Sequence, residues 1–211
     1  MNQNTTLKGR DFINLGIFTV IFIVLFMVCM LLMSTTIYTQ PFGTAVGALV
    51  AGSVYMLLRA KTPKPWAITI FGVLYGLVMF VMGSGWPILV AVIAGALIAE
   101  LIAKSGQYQK YGRESLGYAI LMTATAIGSY VPLLTMKDYY RQLAETNSVD
   151  NEFMAQLVEF ISGPYLALAI VVTFIAAFVG TLIGRALFKK HFVKAGLLSG
   201  GEMTSPAQKE R

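Results

Sequence analysis

The sequence has one cysteine, Cys29, one histidine, His191, and only 12% charged residues. A lone cysteine excludes a disulfide framework and every paired-cysteine metal spacing. The histidine lies in the basic run 189–194, where it reads as an interfacial residue among lysines and supplies no Ser–His dyad at membrane depth. No HExxH, CxxC, Walker A or GxSxG pattern occurs, so the familiar hydrolytic, redox and nucleotide-cleaving chemistries have no residues to carry them. The glycines in 43–47 and 72–76 sit in apolar settings without a lysine and read as packing positions, not phosphate loops. No catalytic residue, metal site or cofactor is expected. Charge is also too scarce for a soluble domain, which carries about 25% charged residues.

What the chain has instead is apolar length: 56% of its 211 residues are hydrophobic. A spanning helix needs about 20 largely apolar residues. Six stretches qualify, at about 12–33, 41–58, 66–82, 86–103, 115–136 and 163–188. The first is too long for the roughly 7–15 residue core of a signal peptide, and no Ala-x-Ala site follows it. Pro41 suits the first turn of the second span. The expected fold is therefore all-α: a polytopic membrane protein of six transmembrane helices, residues 1–198, with a disordered tail over 199–211.

The basic residues orient that map. Fourteen of the sixteen lysines and arginines fall before the first span, in the second and fourth gaps, and after the sixth span; only Lys137 and Arg141 lie elsewhere. Lys and Arg collect in cytoplasmic loops, so both termini are expected in the cytoplasm. The net charge of +6 then reflects span flanks, and no nucleic-acid partner is expected. On the outer side, segment 137–160 carries five carboxylates against two cations, with amphipathic patches at Tyr139, Tyr140 and Leu143 and at Phe153, Leu157 and Phe160. It is expected to lie across the outer mouth as one or two surface helices.

Ionisable residues inside spans mark functional sites, and here only Glu100 stands out. Lys104 follows it by four residues, which allows an i,i+4 ion pair; contact with another subunit is the other reading. No midplane carboxylate is available for proton or sodium coupling. Uncharged polarity gathers instead in the outer half: Gln40, Ser84, Trp86, Ser129 and Tyr130, with Tyr165 opening the sixth span and Tyr139 on the outer segment. Singly, the aromatic members read as interfacial belt residues. Jointly, the seven describe an outward-facing pocket with aromatic walls and a few hydrogen-bonding groups. Spans two and four are rich in Gly and Ala, and Ala176, Gly180 and Gly184 form a small-residue seam on the sixth, all suited to close helix contact.

Two terminal stretches carry a family pattern. The run Leu7-Lys8-Gly9-Arg10-Asp11-Phe12-Ile13-Asn14-Leu15-Gly16-Ile17-Phe18-Thr19 resembles the opening of the Trep-Strep family of bacterial integral membrane proteins. Gly180-Thr181-Leu182-Ile183-Gly184-Arg185, with the run 189–196, resembles its close. That family is similar to the substrate-binding S components of energy-coupling factor (ECF) transporters. The resemblance implies capture of a small micronutrient at the outer face, followed by toppling against a transmembrane coupling protein driven by two cytosolic ATPases. The S component itself hydrolyses nothing. Such proteins present an Ala-xxx-Ala face on the first helix for docking; this chain departs from it with Gly16-xxx-Val20 and Thr19 alongside. Membrane lipid and the small-molecule substrate complete the expected partners. The rival reading is a structural or assembly membrane protein with no transported ligand; a lipid-modifying enzyme lacks catalytic groups.

Overall fold

The computed structural model describes residues 6–187. The expected tail and the His191 run lie outside them. Eight α-helices and no strand occur among the described residues: α1 Gly9–Met33, α2 Gly43–Lys61, α3 Ala67–Met79, α4 Trp86–Ser105, α5 Tyr111–Thr135, α6 Lys137–Thr146, α7 Asn151–Ile161 and α8 Pro164–Leu187. A 3-10 turn, Gln40–Phe42, leads into α2, and a π-helical turn, Phe80–Ser84, extends α3. With these turns counted, six helices are long and apolar enough to cross a membrane. At 1.5 Å per residue, the 20 residues of α4 rise about 30 Å, the thickness of a bilayer's hydrocarbon core.

The six spans pack as a ring in the order α1, α2, α8, α5, α4, α3, and α3 closes back onto α1. A contact between α2 and α5 crosses the ring. These two helices are accordingly the most enclosed, each about 61% buried over its central window, against 28% for α1 and α8. Small residues make this possible, because without them helix backbones cannot approach. Gly52 of α2 and Gly180 of α8 meet nearly backbone to backbone: a Cβ on Gly52 would stand 2.8 Å from the Gly180 carbonyl carbon. One on Gly180 would stand 2.5 Å from the Leu49 carbonyl oxygen. On the α8 seam the buried alanine is Ala177, whereas Ala176 is only partly covered.

The Gly and Ala positions of α4 are also used, Gly95 against Ala124 of α5 and Ala96 against Gly72 of α3. Yet α4 is not enclosed like α2. Its other side leaves Val90, Leu97, Ile98 and Leu101 exposed, as a ring member between only two neighbours must. The second enclosed helix is α5, where Gly117 and Gly128 pack on Ala99 and Ala91 of α4. Between the helices, Phe22, Phe26, Phe71, Tyr75, Tyr55 and Tyr118 form one buried aromatic cluster. Phe22 meets Phe71 edge-on at 4.9 Å, and Tyr55 stacks on Tyr118 at 4.5 Å. The Tyr118 hydroxyl donates to the Ala48 carbonyl, and the Tyr111 hydroxyl to the Thr181 carbonyl, tying α5 to α2 and to α8. Cys29 is buried with a free thiol.

Candidate ligand-binding site

Two short helices cover one end of the ring. Pro132, three residues before the end of α5, has no N–H to continue the helix, and Met136 closes the turn by donating to the Pro132 carbonyl at 2.7 Å. The chain turns into α6, whose apolar face carries Tyr140, Leu143 and Ala144. Asp150 then caps α7, accepting from the Glu152 N–H at 2.7 Å, and α7 buries Leu157 and Ile161 against Ala126 and Tyr130 of α5.

The cover is fastened to the connection between α3 and α4. The Asn147 side-chain amide donates to the Gly83 carbonyl at 3.1 Å, and the Tyr140 hydroxyl to the Ser84 carbonyl at 3.4 Å. The Trp86 N–H donates to the Tyr139 hydroxyl at 3.3 Å. Gly83 and Gly85 hold φ near +91° and +84°, and a Cβ on Gly83 would stand 2.8 Å from the Asn147 amide. Glycine is needed here for conformation and for space. Burial, then the neighbouring Tyr139, push the Tyr140 phenol up to about 12, so it stays protonated and keeps its donor role.

A cavity of about 200 Å³ lies beneath this cover. Gln40, Ser84, Ser129 and Tyr130 line it, with Met30 and Met79 among its apolar walls. Tyr130 is held in place, its hydroxyl 3.1 Å from the Gln40 carbonyl and 3.3 Å from Thr44 Oγ1. Ser129 donates to the Thr125 carbonyl of its own helix. Gln40 Oε1 is buried and has no hydrogen-bond partner. A buried acceptor left alone costs about 1–3 kcal/mol.

A second, wider cavity of about 450 Å³ lies between α6 and α7, lined by Lys137, Arg141 and Asn151 and by apolar side chains such as Met154 and Val158. Leu133, Tyr140 and Met154 line both spaces. Of the seven expected pocket residues, four therefore share one wall. The other three line neither cavity. Tyr139 fastens the cover. The Trp86 side chain is 47% exposed at the start of α4. Tyr165 is 45% exposed and stacks at 4.5 Å on Phe160, which meets Tyr38 edge-on at 5.2 Å. Such rings suit the interfacial belt. Tyr140, Leu133 and Met154 were missed as pocket residues; the spacing of Tyr140 and Leu143 on α6 was the available signal.

At the opposite end, charged groups are paired and buried. Arg59 Nε donates to Glu114 Oε2 at 2.8 Å, its Nη2 to Oε1 at 3.0 Å, and its Nη1 to the Thr62 carbonyl at 2.8 Å. Lys64 meets Asp11 at 2.6 Å, and the Lys8 N–H donates to the same carboxylate, closing the start of α1. Glu100 differs from the expected ion pair with Lys104. Its carboxylate accepts from the N–H groups of Trp66, Ile68 and Thr69 at 2.7, 3.1 and 3.2 Å, and Lys104 is not among its partners. The first turn of a helix leaves N–H groups without acceptors, and α3 takes its acceptor from α4. Burial, then Glu100, push the Tyr108 phenol beside this group up to about 12.

Among the three expected docking residues, Gly16 and Val20 share a face. A Cβ on Gly16 meets nothing within 4 Å, and Val20 is exposed. Thr19 points inward; it is buried and its hydroxyl has no partner. No group of three or more His, Cys, Asp or Glu side chains placed to hold a metal occurs among the described residues.

Six apolar spans joined through small residues around an aromatic core, with an amphipathic two-helix cover over one end, define a multi-pass integral membrane protein. The chain belongs to the family described as hypothetical bacterial integral membrane protein (Trep_Strep), whose model matches residues 9–194. No curated protein and no solved structure matches it.

Proposed function

We propose that this bacterial membrane protein is the substrate-binding S component of an ECF-type transporter, capturing a small micronutrient beneath α6 and α7. The observation that carries the reading is the cavity beneath α6 and α7, with Gln40, Ser84, Ser129 and Tyr130 together in its lining. Orientation comes from charge: Lys8, Arg10, Arg59, Lys61, Lys64, Lys104, Lys110 and Arg113 cluster at the end away from the cover. By the positive-inside rule that end faces the cytoplasm and the cavity faces outward. A coupling protein and two cytosolic ATPases supply the energy, since this chain has no phosphate loop.

Purification from a native-like membrane followed by mass spectrometry tests the reading. A bound small molecule, or a co-purifying coupling protein with ATPases, is expected. Recovery of neither removes the proposal and leaves a structural membrane protein.

Gln40→Met gives a sharper outcome because its two effects have opposite signs. It removes a buried acceptor that has no partner in the free protein, so thermal stability should hold or rise. Affinity for the recovered molecule should fall about tenfold, the worth of one well-made hydrogen bond. Unchanged affinity places the ligand elsewhere.

Gly16→Leu tests docking. Open space around a Cβ at Gly16 lets the variant fold and keep its ligand, while the bulk holds a partner helix away. Co-purification of the coupling protein should be lost with ligand binding retained. Equal loss of both points to a folding defect.

A further inference from the structure

We infer that the compartment between α6 and α7 receives the anionic end of the ligand, and that the substrate is a small amphipathic carboxylate. This rests on the uptake reading above. The observation behind it is a segregation of charge. Residues 137–160 contain five carboxylates and two cations. Both cations, Lys137 and Arg141, line the 450 Å³ cavity, and none of the five carboxylates does.

The cations are four residues apart on α6, so they share a face. Carboxylates that could pair with them lie on the same helix: Asp138 three residues before Arg141, and Glu145 four after it. Neither pair forms, unlike Arg59–Glu114 and Lys64–Asp11 at the other end. Two adjacent, uncompensated cations facing one apolar wall make an anion site, because a carboxylate there gains two charge-assisted hydrogen bonds.

The neighbouring smaller cavity sets the rest of the ligand. Leu133, Tyr140 and Met154 border both spaces, and Gln40 and Ser129 add polar groups to the lining of the smaller one. A fitting molecule carries a carboxylate at one end, an apolar body that passes Tyr140, and a hydrogen-bonding group at the other end. Its charge stays with α6, and only its uncharged part passes beneath the cover.

The test uses the purified full chain in nanodiscs of neutral phosphatidylcholine, with 4-phenylbutyrate as probe and 4-phenylbutyramide as its neutral match. The carboxylate should raise the unfolding temperature by mass action and the amide should not. In Lys137→Gln/Arg141→Gln the carboxylate should bind at least about tenfold more weakly, as expected for loss of hydrogen bonds to charged groups. The unliganded unfolding temperature should be unchanged, because both side chains are exposed and unpaired.

Failure of the carboxylate to bind better than the amide, including no binding of either, overturns the inference. So does full retention of carboxylate binding by the double variant. Repeating the measurement in phosphatidylglycerol separates a headgroup from a free ligand. If that lipid alone stabilises the wild type and not the variant, the cations serve lipid and the inference falls. Recovery of a neutral or cationic molecule from the native membrane overturns the anionic class while the uptake reading stands. Recovery of no molecule and no ECF partner removes the uptake reading itself.

Discussion

Glu114→Gln is expected to destabilise the folded protein by about 3–5 kcal/mol, the cost of leaving one member of a buried ion pair without the other. Arg59 and Glu114 are only 3% and 5% exposed, and they meet through two parallel hydrogen bonds of 2.8 and 3.0 Å. Glutamine preserves the volume of the carboxylate but neutralises its charge. The guanidinium is then buried with two neutral acceptors, the amide oxygen and the Thr62 carbonyl, and no compensating charge. Thermal unfolding of the purified protein should show a drop of roughly 10 °C.

Arg59→Met should fall by a similar amount. The double variant Arg59→Met/Glu114→Leu should recover most of the loss, because an apolar pair of similar volume removes both charges together. A single variant that unfolds at the wild-type temperature, or a double variant worse than either single, would show that the pair is not what holds α2 to α5 at this end.

Glu100→Ala is expected to cost a comparable amount by a different route. The substitution strips the acceptor from three N–H groups at the start of α3, two of them only partly buried. Each hydrogen bond to a charged acceptor contributes about 1.5–3 kcal/mol where solvent is excluded and less where water can replace it. The carboxylate also faces the positive end of the α3 dipole. Trp66 adds to the cost, since its left-handed backbone (φ 68°) is held partly by its N–H bond to Glu100.

Hydrogen exchange at residues 66–69 should accelerate in Glu100→Ala while the far end of α3 stays protected. Glu100→Asp, one methylene shorter, should give part of the loss. Lys104→Met should give almost none. If Lys104→Met matches Glu100→Ala, the local ion pair matters after all.

Hydropathy made the spans legible, because a bilayer imposes length and composition on anything that crosses it. The helical cover was legible in the alternating patches of 137–160, and the inner pocket wall in Gln40, Ser84, Ser129 and Tyr130. Depth in the membrane and direction around a helix are separate facts. Sequence reports depth well, so Trp86 and Tyr165 were placed at the correct end of the ring. It reports direction poorly, because lipid and the helix interior are both apolar and a span shows little contrast between its faces. The two rings consequently lie outside the cavities while Tyr140 borders both.

Pairing across the fold was harder still. Lys104 stands four residues from Glu100, but the true partners lie 31–34 residues away. Arg59 and Glu114 are separated by 55 residues, each on a span flank where a cation or a carboxylate attracts no notice. Sequence spacing reveals a pair only when one helix carries both members.

The ring order has a consequence for biosynthesis. Walking around it, α8 stands between α2 and α5, although it is the last of the six spans to leave the ribosome. Until α8 is inserted, the Gly52 backbone and the Leu49 carbonyl on α2 have no helix against them. The first five spans can gather without it, α2 touching α5 directly, but the groove between those two helices stays unfilled. Assembly is therefore completed by a late closure, and a chain halted before α8 offers quality-control machinery a bare small-residue groove.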